Sequence, residues 1–159
     1  MSENLFTLPA TAPKADRWRV LLPQIKALID AEPDTIARMA NVSAAIYAAF
    51  GHLWVGFYRV VDGELVLGPF QGPLACTRIP LGRGVCGTAW AERRIIVVDD
   101  VEQFPGHIAC SSESRSEIVV PVVAADGSVS AVIDIDSRNL AAFDSVDAEA
   151  LAAVAEYLA

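Results

Sequence analysis

The chain contains no apolar run approaching the ~20 residues that a membrane span requires, and its opening residues, MSENLFTLPATAPK, lack both a basic n-region and an apolar h-region. These absences predict a protein that stays off membranes and in the cytoplasm. Low-complexity tracts and internal repeats are also missing, which leaves an ordinary globule as the expectation. Basic residues are in short supply, 12 Lys and Arg against 20 Asp and Glu, for a net charge of -8. A field of that sign repels phosphate backbones, so no nucleic-acid partner is expected, and an acidic pocket in such a chain favours cations or zwitterions. Cysteine is scarcer still, with three in 159 residues. An odd count without a secretory signal fits a reducing compartment, where a disulfide is transient and catalytic rather than structural.

A chain of 159 residues fits one domain. It buries roughly two thirds of its unfolded surface and needs no disulfide or metal staple. The thiols are therefore free for chemistry. We read residues 1–14 as a flexible N-terminal segment and 15–159 as a single domain. Trp18, Leu21, Leu22, Ile25, Leu28 and Ile29 recur at helical spacing from Ala15 to Ala31, ahead of Pro33. A second helix is predicted from Asp34 to Phe50, with Gly51 as its stop. Asp62-Gly63 joins two β-rich runs as a hairpin signal, and Asp126-Gly127 joins Glu117–Ala124 to Ser128–Asp136 in the same way. Between the hairpins lie a short helix from Val85 to Glu92, a strand at Ile95–Val98 and a long connection from Asp99 to Ser116. The last segment, Ser145–Leu158, reads as a helix with Ser145 as N-cap. Helices thus bracket an antiparallel sheet, an α+β arrangement.

All three cysteines fall between positions 76 and 110, in GPLACTRIP, GRGVCGTAW and PGHIACSSES. These contexts are typical of loops and helix starts, where reactive groups are displayed. Cys110 is the candidate nucleophile, because Gly106 and the Ser-rich stretch after it suggest an exposed loop and Glu117 follows at a strand start. Cys86, at a predicted helix N-terminus where the macrodipole favours a thiolate, competes for that role and also suits a resolving partner. In Val132-Ile133-Asp134-Ile135-Asp136 strand alternation puts both aspartates and Val132 on one face. Clustered carboxylates raise one another's pKa, so that one stays protonated as a donor while others hold an ammonium group.

Taken in order, LWVGFY, the three cysteine segments, Glu117 after the third cysteine and the Asp134-x-Asp136 pair resemble the free methionine-(R)-sulfoxide reductases, which are stand-alone GAF domains. The resemblance spans about residues 15 to 158 and implies a GAF-like sheet flanked by N-terminal and C-terminal helices. It further implies reduction of the R-sulfoxide of free methionine through a cysteine sulfenic acid, then an intramolecular disulfide recycled by thioredoxin, with no bound organic cofactor. Cys76 matches the family's third cysteine, and either resolves a sulfenic acid at Cys110 or is structural. Glu117, Asp134 and Asp136 resemble the family's acidic substrate-binding residues. Trp54 resembles its aromatic wall, where an indole covers the S-methyl group; core packing is the alternative, and Tyr58 and Trp90 are further aromatic candidates. Many members of the family are homodimers, and the amphipathic N-terminal helix offers one surface for that.

Other readings of the same residues stand beside this one. Gly82-x-Gly84 before a helix either offers backbone N–H groups to a substrate carboxylate or serves turn geometry. Cys76, Cys86, His107 and Cys110 supply four metal-ligand types, yet without the close Cys-x-x-Cys pairing of structural zinc sites, so no metal is expected. His107 is read as a loop histidine near Cys110. A GAF sensor of a small ligand would need an attached output domain, for which the length leaves no reserve. A redox thiol switch would use the same cysteines without turnover. The length of the 99–116 connection and its Pro105-Gly106 suggest a lid.

Overall fold

A computed structural model describes residues 4–159; the first three positions of the expected flexible segment 1–14 lie outside the described residues. The rest of that segment runs along the first helix. The backbone N–H of Phe6 donates to Gln24 Oε1 at 2.9 Å, Gln24 Nε2 donates back to Phe6 O at 2.8 Å, and Leu5 packs on the core.

Helix α1 (Lys14–Asp30) buries Trp18, Leu21, Ile25 and Ile29, the stripe that the 3.6-residue period dictates. Pro23 sits inside it and removes one backbone hydrogen bond, yet the helix continues because buried residues on both sides anchor it. Helix α2 (Thr35–Phe50) starts at Asp34, whose side chain accepts from the Ala37 N–H, and stops at Gly51 in the left-handed region. Strands β1 (Trp54–Val61) and β2 (Glu64–Gln71) follow. Asp62 and Gly63 both have positive φ, 50° and 81°, as the primed hairpin turn requires.

A short strand β3 (Arg78–Pro80) comes next, absent from the elements expected between the two hairpins. Three residues carry too little periodicity to read, and Pro80 is tolerated there because β3 is an edge strand. Helix α3 (Gly84–Glu92), strand β4 (Ile96–Val98), a 3-10 turn at Val101–Gln103, strands β5 (Ser116–Val123) and β6 (Val129–Ser137), and helix α4 (Ser145–Leu158) complete the chain. The expected cap of α4 needs correction. Asp144, not Ser145, is the N-cap: its carboxylate accepts from the Val146 and Asp147 N–H groups, and Asp147 reaches back to the Asp144 N–H. Together these bonds satisfy three backbone donors, more than a serine one residue later offers.

The six strands run antiparallel in the order β3-β2-β1-β6-β5-β4. Alternation splits the side chains into two cores. Val55, Phe57, Ile118, Val120, Ile133 and Ile135 pack beneath α1, α2 and α4. Trp54, Tyr58, Val119 and Val132 face the other way, with Cys86 and Ala89 of α3. The α+β expectation, an antiparallel sheet flanked by N-terminal and C-terminal helices, describes this molecule. No helix among the described residues is long and apolar enough to cross a membrane.

Candidate active site

The register of the central strands builds the site. Trp54 pairs with Asp136 across β1 and β6, Asp136 pairs with Glu117 across β6 and β5, and Asp134 lies between Gly56 and Val119 one pleat further on. One face thus carries Trp54, Glu117, Asp134 and Asp136 in adjacent rows, as strand alternation predicts for the two aspartates. Helix α3 and the 99–115 connection close over them. A cavity of about 50 Å³ remains, bordered by all four of these residues and by Tyr58, Cys86, His107 and Cys110.

Glu117 and Asp134 are each only 6% exposed, so their charged forms are poorly solvated. Burial raises the Glu117 carboxyl well above its ordinary value, and the neighbouring Asp134 and Asp136 add to it. Asp136 rises for the same reasons, first burial and then Asp134, against a hydrogen bond from Ser114 Oγ at 2.9 Å that favours the carboxylate. Asp134 is pushed up by burial to about 6, with hydrogen bonds from Glu117 and Cys86 acting the other way. Asp134 Oδ1 has no hydrogen-bond partner among the described residues. Several acids crowded on one poorly solvated face are costly as carboxylates, so the site favours protonated carboxyls and a positive ligand group.

Sulfur chemistry sits at the rim. Cys76 and Cys110 form a disulfide with Cα atoms 5.4 Å apart, which removes both from the four-ligand metal set weighed from sequence. Cys86 is the free thiol and is buried. Its place in the first turn of α3 does not lower its pKa as the sequence suggested: burial, then Asp134 and Glu117, push it well above the ordinary thiol value. Desolvation and two acidic neighbours outweigh the fraction of a charge at a helix start. The Cys86 S–H donates to Glu117 Oε1 at 4.0 Å.

Trp54 is both wall and core. It is buried, it stacks on Phe70 at 5.2 Å and Tyr58 at 5.8 Å, and it borders the cavity. Its ring lies over Gly56, where a Cβ would come within 2.7 Å of the indole and 2.4 Å of Phe70 Cβ, so only glycine lets the tryptophan take this seat. Trp90 packs against the same core but does not border the cavity. His107 faces Glu117, Nε2 to Oε2 at 4.0 Å, and burial lowers its pKa. Gly84 opens α3 with φ of 62°, and the chain from Arg83 to Cys86 borders the cavity. The first-turn amides of a helix lack intrahelical acceptors and suit an anion. Sequence reasoning missed Ser114, Ile79 and Ile108, which border the cavity from loops and an edge strand without any periodic signal. Tyr58 was legible in part, since it shares the Trp54 face; its hydroxyl donates to Cys76 O at 2.9 Å.

The antiparallel sheet with α1, α2 and α4 on one face and an enclosed pocket on the other defines a GAF domain, and the GAF domain family model matches residues 34–159. Within that class several similar proteins are enzymes of one kind. The structure of free methionine-R-sulfoxide reductase from Neisseria meningitidis in complex with its substrate is 52% identical, with a TM-score of 0.92, covering 98% of this chain and 93% of that one. The free methionine-R-sulfoxide reductase of Escherichia coli is 44% identical, over 87% of this chain and 84% of its own length. That of Saccharomyces cerevisiae is 42% identical, over 87% and 81%. The chain belongs to the free methionine-R-sulfoxide reductase family, oxidoreductases acting on sulfur.

Proposed function

We propose that the protein reduces free L-methionine-(R)-sulfoxide to methionine through a cysteine sulfenic acid and an intramolecular disulfide, with thioredoxin as electron donor and no bound organic cofactor. The observation that carries this reading is a disulfide, Cys76–Cys110, at the rim of a cavity walled by Trp54, the buried Glu117 and Asp134 and the half-buried Asp136. The substrate's ammonium group would meet the acidic wall. Its carboxylate would meet the N-terminal amides of α3, and its S-methyl group the Trp54 ring. A pocket of this size must widen to take even a free amino acid; a sulfoxide within a polypeptide would in addition have to bring its flanking chain through the same mouth.

The Cys110 thiolate attacks the sulfoxide sulfur while a protonated carboxyl, assigned to Glu117, delivers its proton to the oxygen. Attack forms a bond between the Cys110 sulfur and the methionine sulfur as the S–O bond breaks and hydroxide leaves; the hydroxide then attacks the Cys110 sulfur, the S–S bond breaks, methionine leaves and Cys110 is left as a sulfenic acid. The methionine sulfur gains two electrons and the Cys110 sulfur loses two. The Cys76 thiol then displaces the sulfenic hydroxyl, forming the S–S bond and releasing water, and a thioredoxin dithiol returns two electrons and two protons. Raised carboxyl pKa values favour a neutral acid in such a site.

The test is thioredoxin-coupled NADPH oxidation, with a metal chelator present, on free R-sulfoxide, free S-sulfoxide and a peptide-bound sulfoxide. Turnover with the free R form alone, lost in Cys110→Ser, is expected. Oxidant-driven disulfide formation without turnover on any sulfoxide would replace the reading with a redox thiol switch.

A further inference from the structure

Cys86 takes no part in the disulfide chemistry above, yet it lies against the most acidic part of the pocket. Its Sγ stands 4.0 Å from Glu117 Oε1. With one carboxylate oxygen each from Glu117 and Asp134, it forms a group of three ligand atoms all within 4.8 Å of one another, every residue buried. The three come from different elements, α3, β5 and β6, so backbone packing holds them together independently of any loop. Asp134 is 6% exposed, borders the cavity, and its Oδ1 has no hydrogen-bond partner among the described residues.

We propose that Cys86, Glu117 and Asp134 form a binding site for a divalent transition-metal cation of the zinc class, with one thiolate and two carboxylates as ligands and the fourth position open to the cavity. Zinc bonds of about 2.3 Å to sulfur and 2.1 Å to oxygen place tetrahedral S and O ligands about 3.6 Å apart. The Cys86–Glu117 separation of 4.0 Å needs only a small inward adjustment to meet that figure. A thiolate among the ligands selects Zn²⁺ or Co²⁺ over Mg²⁺ and Ca²⁺, which take oxygen alone. Binding exchanges the thiol and carboxyl protons for the metal and releases them to solvent, since ligands must be deprotonated. One consequence rests on the proposed function: a metal here occupies acids assigned to the substrate, so metal and free sulfoxide exclude each other.

The experiment titrates Co²⁺ into the oxidised protein, in which Cys76 and Cys110 are tied up and Cys86 is the sole thiol. One equivalent should bind with a thiolate-to-cobalt charge-transfer band in the near ultraviolet, which Zn²⁺ abolishes by displacement and Mg²⁺ leaves intact. Cys86→Ser should lose the band. Asp134→Asn should keep it with affinity weakened about tenfold or more, the cost attached even to outer-shell partners. Absence of the band in the wild type, its persistence in Cys86→Ser, or displacement by Mg²⁺ would overturn the proposal. Should circular dichroism show Cys86→Ser unfolded, the Asp134→Asn titration decides, and unchanged affinity there also overturns it. The readout involves no turnover, so its failure and that of the reductase reading are separate events.

Discussion

At the scale of single residues, the acids of this site are defined by dryness more than by sequence neighbours. Glu117 sits in β5 among Ser116, Ile118 and Val119, all buried, so its carboxyl is held above its ordinary value before any partner is counted. Glu117→Gln should keep the shape and remove the proton. We expect kcat to fall about 10²- to 10⁴-fold, the usual contribution of a positioned acid, with KM little changed and thermal stability undiminished, because an amide is cheaper to bury than an acid that must hold its proton. Steady-state kinetics beside a thermal melt reads both; an unchanged kcat would take the donor role away from Glu117. The identity of these acids was legible in the sequence because β-alternation needs only a parity count, which placed Asp134, Asp136 and Val132 together. The behaviour of Cys86 was not. Its position at a helix start was readable, but the two carboxylates that reverse the expected effect come from strands more than thirty residues away in the chain.

Among the elements, the junction of α1, α2 and α4 carries a polar knot on the face opposite the site. Asp147 of α4 accepts from Trp18 Nε1 at 2.9 Å and from Lys14 Nζ at 2.7 Å, both on α1. His52, just past α2, lies between Phe50 and Phe143, ring centroids 5.7 and 5.0 Å away. Burial lowers its pKa to about 4; Asp147 opposes that, while Lys14 and Arg17 reinforce it. A depressed histidine pKa means the unfolded chain takes up the proton first as pH falls. The stability from neutral His52 is therefore complete above pH about 6.5 and is lost progressively toward pH about 4. The raised carboxyls act oppositely over part of that window, so the informative quantity is a difference. Urea unfolding at several pH values should show wild type losing more stability than His52→Phe between pH 7 and 4, by up to about 3 kcal/mol. Parallel curves would mean that the ring takes up its proton as readily in the folded chain as in the unfolded one. The helices themselves were legible, because apolar period and stop residues mark them locally. The Asp147 network was not, because it depends on Lys14 and Trp18 at the other end of the chain, whereas the Asp144 cap is a local pattern that the expectation of Ser145 passed over.

For the molecule as a whole, the sheet separates a permanent core from a redox-dependent one. The face beneath α1, α2 and α4 is held by hydrophobic packing and the Asp147 network, while the site face is tied by Cys76–Cys110, which joins the segment after β2 to the connection between β4 and β5. Cleaving that tie frees a loop with a sequence separation of 34, which the chain-entropy account values at about 2 to 4 kcal/mol. Ile108 and Phe104 still pack on the site face, but the rest of the 105–114 stretch has little apolar burial to hold it once the sulfurs part. Reduction should therefore lower the unfolding free energy by about that amount and speed protease cleavage within 105–114, while α1, α2 and α4 keep the same hydrogen-exchange protection. Methionine added to the reduced protein should slow the cleavage again, if the connection closes over a bound amino acid as its length suggested. Equal cleavage of oxidised, reduced and methionine-bound protein would show that the connection is rigid in every state, and substrate would then have to enter past the exposed Leu74 instead. The two halves of the fold answer different demands: the helical face keeps the sheet register that aligns Trp54, Glu117, Asp134 and Asp136, and the disulfide pins the connection whose release the cleavage assay reads.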